Sequence, residues 1–447
     1  MTPIEIFQHA LSLQKAGRFQ EAILAYQQGM AGDPTHPDAL YNLGLCLQRV
    51  GRAADAAVAY QRALAVKPDY ADAYNNLAAA YRTLGRFDLA AEAFERAIVC
   101  RPDCAEAHSN LGYTLHEAGH FERAIAEYHA ALRINPNYAD AHLNLALSLL
   151  LLGDFERGLQ HYEARMAAGF NVRREMPVPR WNGENLKDKS IILYHEQGFG
   201  DTIHFVRYAT LLAQYAGRVI VGCQQELLRL LRSADGIAQL ITSGEPIPAC
   251  DVHCPLASLP LMFHTRLQTI PATPGYLKAD PRLVERWRER FNAADGRVKV
   301  GLCWTGGLQF EGNRTRAPFL PAFAPLGDAK NACFYSLQKG PAGEQARSAP
   351  AGMEIIDWTA DLTDFAETAA LMANLDLIIT SDTAVAHLAG ALARPTWLVL
   401  CTVPDWRWLL HREDTPWYPT MRLFRQSTAG DWSAPMRRMA DELGALR

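Results

Sequence analysis

Over its first third the sequence matches itself every 34 residues, and no other feature constrains the fold as tightly. "PDALYNLGLCLQRVGRAADAAVAYQRALAVKPDY" (37–70) is followed by "ADAYNNLAAAYRTLGRFDLAAEAFERAIVCRPDC" (71–104) and "AEAHSNLGYTLHEAGHFERAIAEYHAALRINPNY" (105–138). In each unit Ala or Gly holds the eighth place (Gly44, Ala78, Gly112) and Ala the twentieth (Ala56, Ala90, Ala124). An aromatic holds the twenty-fourth (Tyr60, Phe94, Tyr128) and Pro the thirty-second (Pro68, Pro102, Pro136). The small residues let two antiparallel helices approach closely. The aromatic is expected to fill the gap to the next unit, and the proline ends the second helix.

This pattern resembles the tetratricopeptide repeat. A weaker copy covers 3–36 (Ala10, Ala22, Tyr26, Pro34), and a degenerate one begins at Ala139 and has Gly158 at the twentieth place. About five repeats are therefore expected over 1–166. One position is not explained by packing. The sixth place is Asn in four successive units (Asn42, Asn76, Asn110 and Asn144), on the first helix and near the concave face. Stacked amides of this kind can bond an extended peptide backbone without reading its side chains. The alternative is that each Asn follows the repeat consensus and bonds neighbouring backbone. Similar asparagine ladders occur in the superhelix of the protein O-GlcNAc transferases, which makes these four residues candidate acceptor-binding groups. Repeat arrays also self-associate, so a homo-oligomer formed through them stays open.

The formal net charge of −4 argues against a nucleic-acid partner, which needs a basic face. Residues 1–17 lack a basic stretch followed by an apolar core, so no signal peptide is expected. The longest clean apolar run, "LALSLLLLG" at 145–153, is far short of a membrane span. Nine scattered cysteines read as free thiols in a reducing cytoplasm.

The period ends near 166. Residues 167–189 form a linker in which Trp181, beside Asn182 and Gly183, suggests an ordered turn fastening the repeats to the next domain. From 190 onward, short apolar runs alternate with helical stretches. They fall at 190–195, 218–223, 238–243 and 251–256 in one half, and at 298–304, 333–338, 354–359, 375–380 and 395–400 in the other. This is the pattern of parallel sheets covered on both faces. A helical segment at 279–297 marks the boundary between two lobes, 190–285 and 286–447. Ligands of open α/β sheets bind outside the carboxyl ends of the strands, so a cleft is expected there.

Three strand exits of the second lobe carry polar chemistry. "VGLCWTGGLQFEGNRTRAPFL" (300–320) supplies Trp304, Gly306, Gly307, Gly312, Arg314 and Arg316. "FYSLQKGPAGEQ" (334–345) supplies Gln338 and Lys339. "ITSDTAVAHLAG" (379–390) supplies Ser381, Asp382 and Thr383, then His387 one turn on. A guanidinium, an ammonium and a helix N-terminus gathered at one sheet edge suit a diphosphate. Each residue alone reads equally as a surface charge, a cap or a core histidine. In the first lobe "YHEQGFGDTIHFVRY" (194–208) places Asp201 at a helix start, as an N-cap or as a general base. One G-x-G with no P-loop lysine is a poor Rossmann dinucleotide site. "CDVHC" (250–254) has no second ligand pair at zinc spacing.

Together "DLIITSDTAVAHLAGALARPTWLVL", "GDTIHF" and "YSLQKG" resemble the heptosyltransferase type of GT-B glycosyltransferase. The tail "DWRWLLHREDTPWYPTMRLFRQ" (405–426) is similar to that of bacterial proteins joining tetratricopeptide repeats to such a domain. The resemblance covers about 190–447. It implies an α + α/β architecture, an all-α superhelix followed by a GT-B-like pair of Rossmann-type lobes. It further implies inverting transfer of a sugar from a nucleotide sugar, with Asp201 as base on the acceptor hydroxyl. Lys339 and the Ser381–Thr383 turn would then serve the leaving nucleotide. The chain has no Asp-x-Asp string, which favours metal-free chemistry and no further cofactor. The expected acceptor is a protein or peptide on the repeats. A cell-surface saccharide, or a non-catalytic scaffold with a nucleotide-sugar sensor, stays as the alternative.

Overall fold

A computed structural model describes residues 1–169, 175–291, 295–306 and 317–446. Gly307, Gly312, Arg314 and Arg316 lie outside the described residues. The chain forms two compact units, Met1–Ser148 and Leu149–Arg447.

Helices of the first unit come in pairs: α1 (Pro3–Lys15) with α2 (Phe19–Gly32), α3 (Pro37–Arg49) with α4 (Ala53–Val66), α5 (Ala71–Thr83) with α6 (Phe87–Cys100), and α7 (Ala105–Glu117) with α8 (Phe121–Ile134). The unit boundary falls inside α9 (Ala139–Leu151). The repeat positions explain the pairing. A Cβ on Gly44 would fall 2.4 Å from the Tyr60 ring, and one on Gly112 would fall 2.6 Å from the Tyr128 ring. The eighth-place small residue and the twenty-fourth-place aromatic therefore make one joint within a helix pair. This joint within the pair stands beside the expected role of the aromatic in the gap to the next unit. Gly17, Gly51, Gly85, Gly119 and Gly153 add a second periodic device. They recur at the fifteenth place with φ of 74°, 79°, 70°, 83° and 85°, a left-handed turn that glycine adopts without penalty.

The second unit opens with α10 (Phe155–Tyr162) and contains two all-parallel sheets. β1 (Ser190–Tyr194), β2 (Arg218–Cys223), β3 (Gln239–Thr242) and β4 (Val252–Pro255) stand in the order β3-β2-β1-β4. β5 (Val298–Cys303), β6 (Ala332–Ser336), β7 (Ile355–Ile356), β8 (Leu377–Ser381), β9 (Thr396–Leu400) and β10 (Met421–Arg425) stand in the order β10-β9-β8-β5-β6-β7. The parallel sheets and the repeat helices are the α + α/β fold expected. β1 has β2 on one side and β4 on the other, and β5 has β6 on one side and β8 on the other. In each sheet the strand order thus reverses at the first strand, the kind of point at which open α/β sheets bind ligands.

Helices of this unit include α11 (Phe199–Phe205), α12 (Arg207–Leu212), α13 (Pro281–Arg288), α14 (Phe365–Ala373), α15 (Ala384–Ala391) and α16 (Ser433–Ala445). The core of the larger sheet packs Val300, Leu302 and Ile379 against Phe323, Met436 and Met439. The segment before β1 is ordered where described. Trp181 N–H donates to His253 O at 2.8 Å and His253 N–H to Pro179 O at 3.0 Å, so 179–181 lines the edge of β4. Beneath it the buried Arg165 binds Glu196 at 2.6 Å, Glu163 at 2.7 Å and Ser258 at 2.7 Å.

Candidate functional site

Glycine controls how the two lobes of the second unit meet. α11 packs on α15 at Gly200, where a Cβ would sit 2.8 Å from His387 Cδ2 and 3.5 Å from Ala384 Cα. Only the missing side chain lets the start of α11 reach the start of α15. Asp201 directly follows this contact between α11 and the start of α15.

Asp201 opens α11 as its third residue. Its Oδ2 accepts the Gly198 N–H at 3.2 Å, and its Oδ1 accepts Arg407 Nη2 at 2.5 Å. Its side chain is 27% exposed against 6% for Arg407. Burial pushes the carboxyl above the usual carboxylate range; Arg407 pulls the other way and the Asp405 carboxylate adds to the rise. Asp201 is thus both an N-terminal cap and one half of an ion pair.

The strand exits of the larger sheet converge at Cys303. Its Sγ lies 3.5 Å from Gln338 Oε1 and 3.7 Å from Thr383 Oγ1. Burial raises this thiol to about 11, so it stays S–H. Gln338 Oε1 accepts the backbone N–H of Trp304 at 3.0 Å and of Thr305 at 2.9 Å, while its Nε2 donates to Lys339 O at 3.1 Å. One amide therefore ties the exit of β5 to that of β6. Thr383 caps α15 by accepting the Val385 N–H at 3.2 Å. Two buried hydroxyls, Thr305 Oγ1 and Ser381 Oγ, have no hydrogen-bond partner among the described residues. They stand at neighbouring exits, because Cys303 pairs with Thr380. A buried hydroxyl without a partner is costly unless a ligand or water supplies one.

The remaining expected site residues have the following surroundings. The Trp304 side chain is fully buried in the core and its Nε1 donates to Ala342 O at 3.2 Å. That puts the indole inside the sheet packing rather than at a donor-facing surface. Lys339 Nζ donates to Thr359 O at 3.0 Å and Leu362 O at 2.9 Å. The turn residue Asp382 is half-buried. In the first unit Asn42, Asn76, Asn110 and Asn144 are all half-buried. The Asn76 amide donates to Tyr41 Oη at 3.0 Å and Asp72 O at 2.9 Å, so at that rung neighbouring groups already take both of its protons.

His387 is buried, and its Nδ1 lies 2.8 Å from Tyr418 Oη; His204 Nδ1 lies 2.9 Å from the same oxygen. Burial, reinforced by Arg207 and Arg407, holds both imidazoles well below their ordinary range, so both are neutral. Tyr418 has one proton to give. One histidine must accept it and the other must donate Nδ1–H. His204 Nε2 is buried without a partner among the described residues, which costs less as a bare lone pair than as a stranded N–H. His204 is thus the Nδ1–H donor and His387 the acceptor, which leaves the His387 Nε2–H on the side of Gly200. Arg207, also buried, donates to His204 O at 2.8 Å and Trp417 O at 2.8 Å and lies over the Tyr418 ring at 4.6 Å. Trp406 meets α10 at Phe155 and Tyr162, with ring centroids 5.9 and 6.0 Å apart. Arg207, Arg407, Trp406, Trp417 and Tyr418 went unread in the sequence, although four of them belong to one aromatic tail motif.

The Tyr418 ring is pinned by Gly390, on which a Cβ would fall 2.2 Å from the ring. Gly390→Ala is expected to lower unfolding stability by about 1–3 kcal/mol, the range for overpacking a filled core. Urea unfolding reads this, and an unchanged midpoint would mean that the ring is not fixed there.

Residues 7–63, 37–99, 80–119 and 112–153 match tetratricopeptide repeat models, and residues 333–399 match the model described as Glycosyltransferase family 9 (heptosyltransferase). The chain carries both features. The second match spans β6, the Gln338–Lys339 exit, β8, the 381–383 turn and α15. The chain is 28% identical over 305 residues to Protein FlbA of Caulobacter vibrioides, covering 61% of this chain and 49% of that protein. It thus spans about half the length of the curated relative it matches. Among solved structures, the repeats resemble MamA 41-end from Desulfovibrio magneticus RS-1 (18% identity, 37% of this chain, 95% of that chain, TM-score 0.36). They also resemble YrrB, titled a TPR protein with an unusual peptide-binding site (20% identity, 37% and 84%, TM-score 0.34).

Proposed function

We propose that the second unit is a glycosyltransferase. It inverts the anomeric carbon of a nucleotide-sugar donor without a metal, and the repeats bring it a protein or peptide acceptor. The observation that carries this reading is the Gly200 contact, which seats the start of α11 against the start of α15, inside the segment of the family 9 match. In the proposed step a carboxylate oxygen of Asp201 takes the proton of the acceptor hydroxyl. The freed oxygen attacks the anomeric carbon from the face opposite the diphosphate. The carbon–oxygen bond to the diphosphate breaks and the nucleotide leaves with the electron pair.

Charge growing on the leaving diphosphate needs donors already in place. The N-terminus of α15, the Ser381 and Thr305 hydroxyls and the His387 Nε2–H would supply them. Lys339 has three N–H donors and gives two to carbonyls, so one is left for a phosphate oxygen. Asp201 suits the base role because burial lifts its pKa toward working pH, where a base transfers protons most effectively.

The test is a panel of nucleotide sugars incubated with the full chain and a peptide pool, with released nucleoside diphosphate and peptide mass as readouts. The expected result is release with one donor class and a matching mass gain on peptide. Replacing Asn42, Asn110 and Asn144 together by Ala should lower peptide transfer while leaving donor hydrolysis unchanged. No release from any donor would contradict the transferase reading, and transfer indifferent to the asparagines would remove the repeats from acceptor binding.

A further inference from the structure

We propose that Arg407 is a positioning residue for Asp201, its guanidinium holding the carboxylate as an anion in one orientation at the mouth of the site. This rests on the transferase reading above, in which Asp201 is the base.

Arg407 stands on the short turn Trp406–Trp408, which Asp405 opens by accepting the Arg407 N–H at 3.0 Å. Its position does not depend on Asp201. Nη1 is held by Asp405 Oδ1 at 2.9 Å, and the guanidinium lies 5.0 Å from the centre of the Phe205 ring and 4.7 Å from that of Trp406. Two rings and one carboxylate fix the cation, and Nη2 reaches Asp201 Oδ1.

The pair is asymmetric in a way that suits positioning. Arg407 is enclosed, whereas Asp201 keeps an open side and each of its oxygens takes one hydrogen bond from the described residues. A carboxylate oxygen accepts two, so Asp201 can be held and still receive a proton. A pair serving structure alone would spend both partners in the interior, and here Arg407 already has Asp405 for that purpose.

The other groups that face Asp201 are Asp405 from the same turn, Tyr162 from α10 and Glu196 beyond β1. Tyr162 is neutral, because burial raises its pKa. Asp405 and Glu196 disfavour a charge on Asp201, and Arg407 is the one cation among these four groups. Removing it should raise the pH at which Asp201 ionises, and removing Asp405 should lower it.

The experiment is the pH dependence of kcat/KM, with 13C-carboxyl NMR titration of Asp201, for wild type, Arg407→Gln, Arg407→Lys and Asp405→Asn. Catalysis by a carboxylate base is lost on the acid side. Arg407→Gln should therefore move the acid limb and the Asp201 titration up by about 1–3 pH units, the usual effect of an adjacent cation. On that limb this is roughly a tenfold loss per unit, recovered at higher pH. Arg407→Lys should restore most of the shift, and Asp405→Asn should move both readouts down.

A uniform loss of rate at every pH with an unmoved Asp201 titration would overturn the proposal, because that is what a purely structural arginine gives. If Arg407→Gln does not fold, the Lys and Asp405 variants decide alone: an Asp201 titration insensitive to both overturns it. If the wild type turns over no donor, the transferase reading fails. The NMR titration still reports whether Arg407 governs the charge of Asp201.

Discussion

Asp201→Asn is expected to reduce sugar transfer by roughly 10²- to 10⁴-fold, the range for losing a general base, while donor affinity changes little. The amide keeps the shape of the carboxylate and still accepts the Gly198 N–H, so the start of α11 survives. Arg407 keeps Asp405 at 2.9 Å, so no buried cation is stranded and the fold should hold. What disappears is the capacity to take a proton. The measurement is single-turnover transfer beside calorimetric donor binding. Transfer within a few-fold of wild type would refute the base assignment. Loss of donor binding would show Asp201 to be a binding group instead.

Gln338→Leu should be strongly destabilising to the larger sheet. The Gln338 carbonyl accepts two buried backbone N–H groups, those of Trp304 and Thr305, at the end of β5. Leucine matches the volume and offers no acceptor. Each stranded donor costs about 1–3 kcal/mol, so a combined loss of about 2–6 kcal/mol is expected in urea unfolding. Nucleotide affinity should also fall, because the freed 303–306 segment no longer holds Thr305 beside Ser381. A loss below about 1 kcal/mol would mean that water replaces the amide, and that this tie does not shape the site.

Much of the fold was legible because its signals are local. The 34-residue spacing identified the helix pairs, and continuous apolar runs identified nine strands in order. Gly17, Gly51, Gly85, Gly119 and Gly153 share that spacing and were readable as left-handed turns, yet the Ala, aromatic and Pro positions are the more conspicuous signal. β10 was not read as a strand because "MRLFR" alternates arginine with apolar residues, as an edge strand does, and it sits inside a tail dominated by tryptophan.

The site divides along the same line. Gln338 and Thr383 lie just past strands and Ser381 ends one, so their placement at strand ends was readable, and Asp201 was readable as the start of the helix after β1. What each side chain touches was not. Arg407 meets Asp201 across 206 positions, and Tyr418 meets His204 across 214. Nothing in the spacing of a single sequence encodes such a contact. Trp304 looked like a donor contact because it follows a strand, whereas its indole fills the core. Arg314 and Arg316 lie outside the described residues.

The central claim is that the strand exits around Cys303, with the 381–383 turn, form a seat for a nucleoside diphosphate. The most direct measurement is a thermal-shift titration of the full chain with UDP, GDP, ADP, CDP and their sugar conjugates. The account predicts that one base stands out, its melting temperature rising with the logarithm of ligand concentration above Kd, and that Ser381→Ala flattens the rise. Melting temperatures unmoved by every nucleotide at millimolar concentration would contradict it.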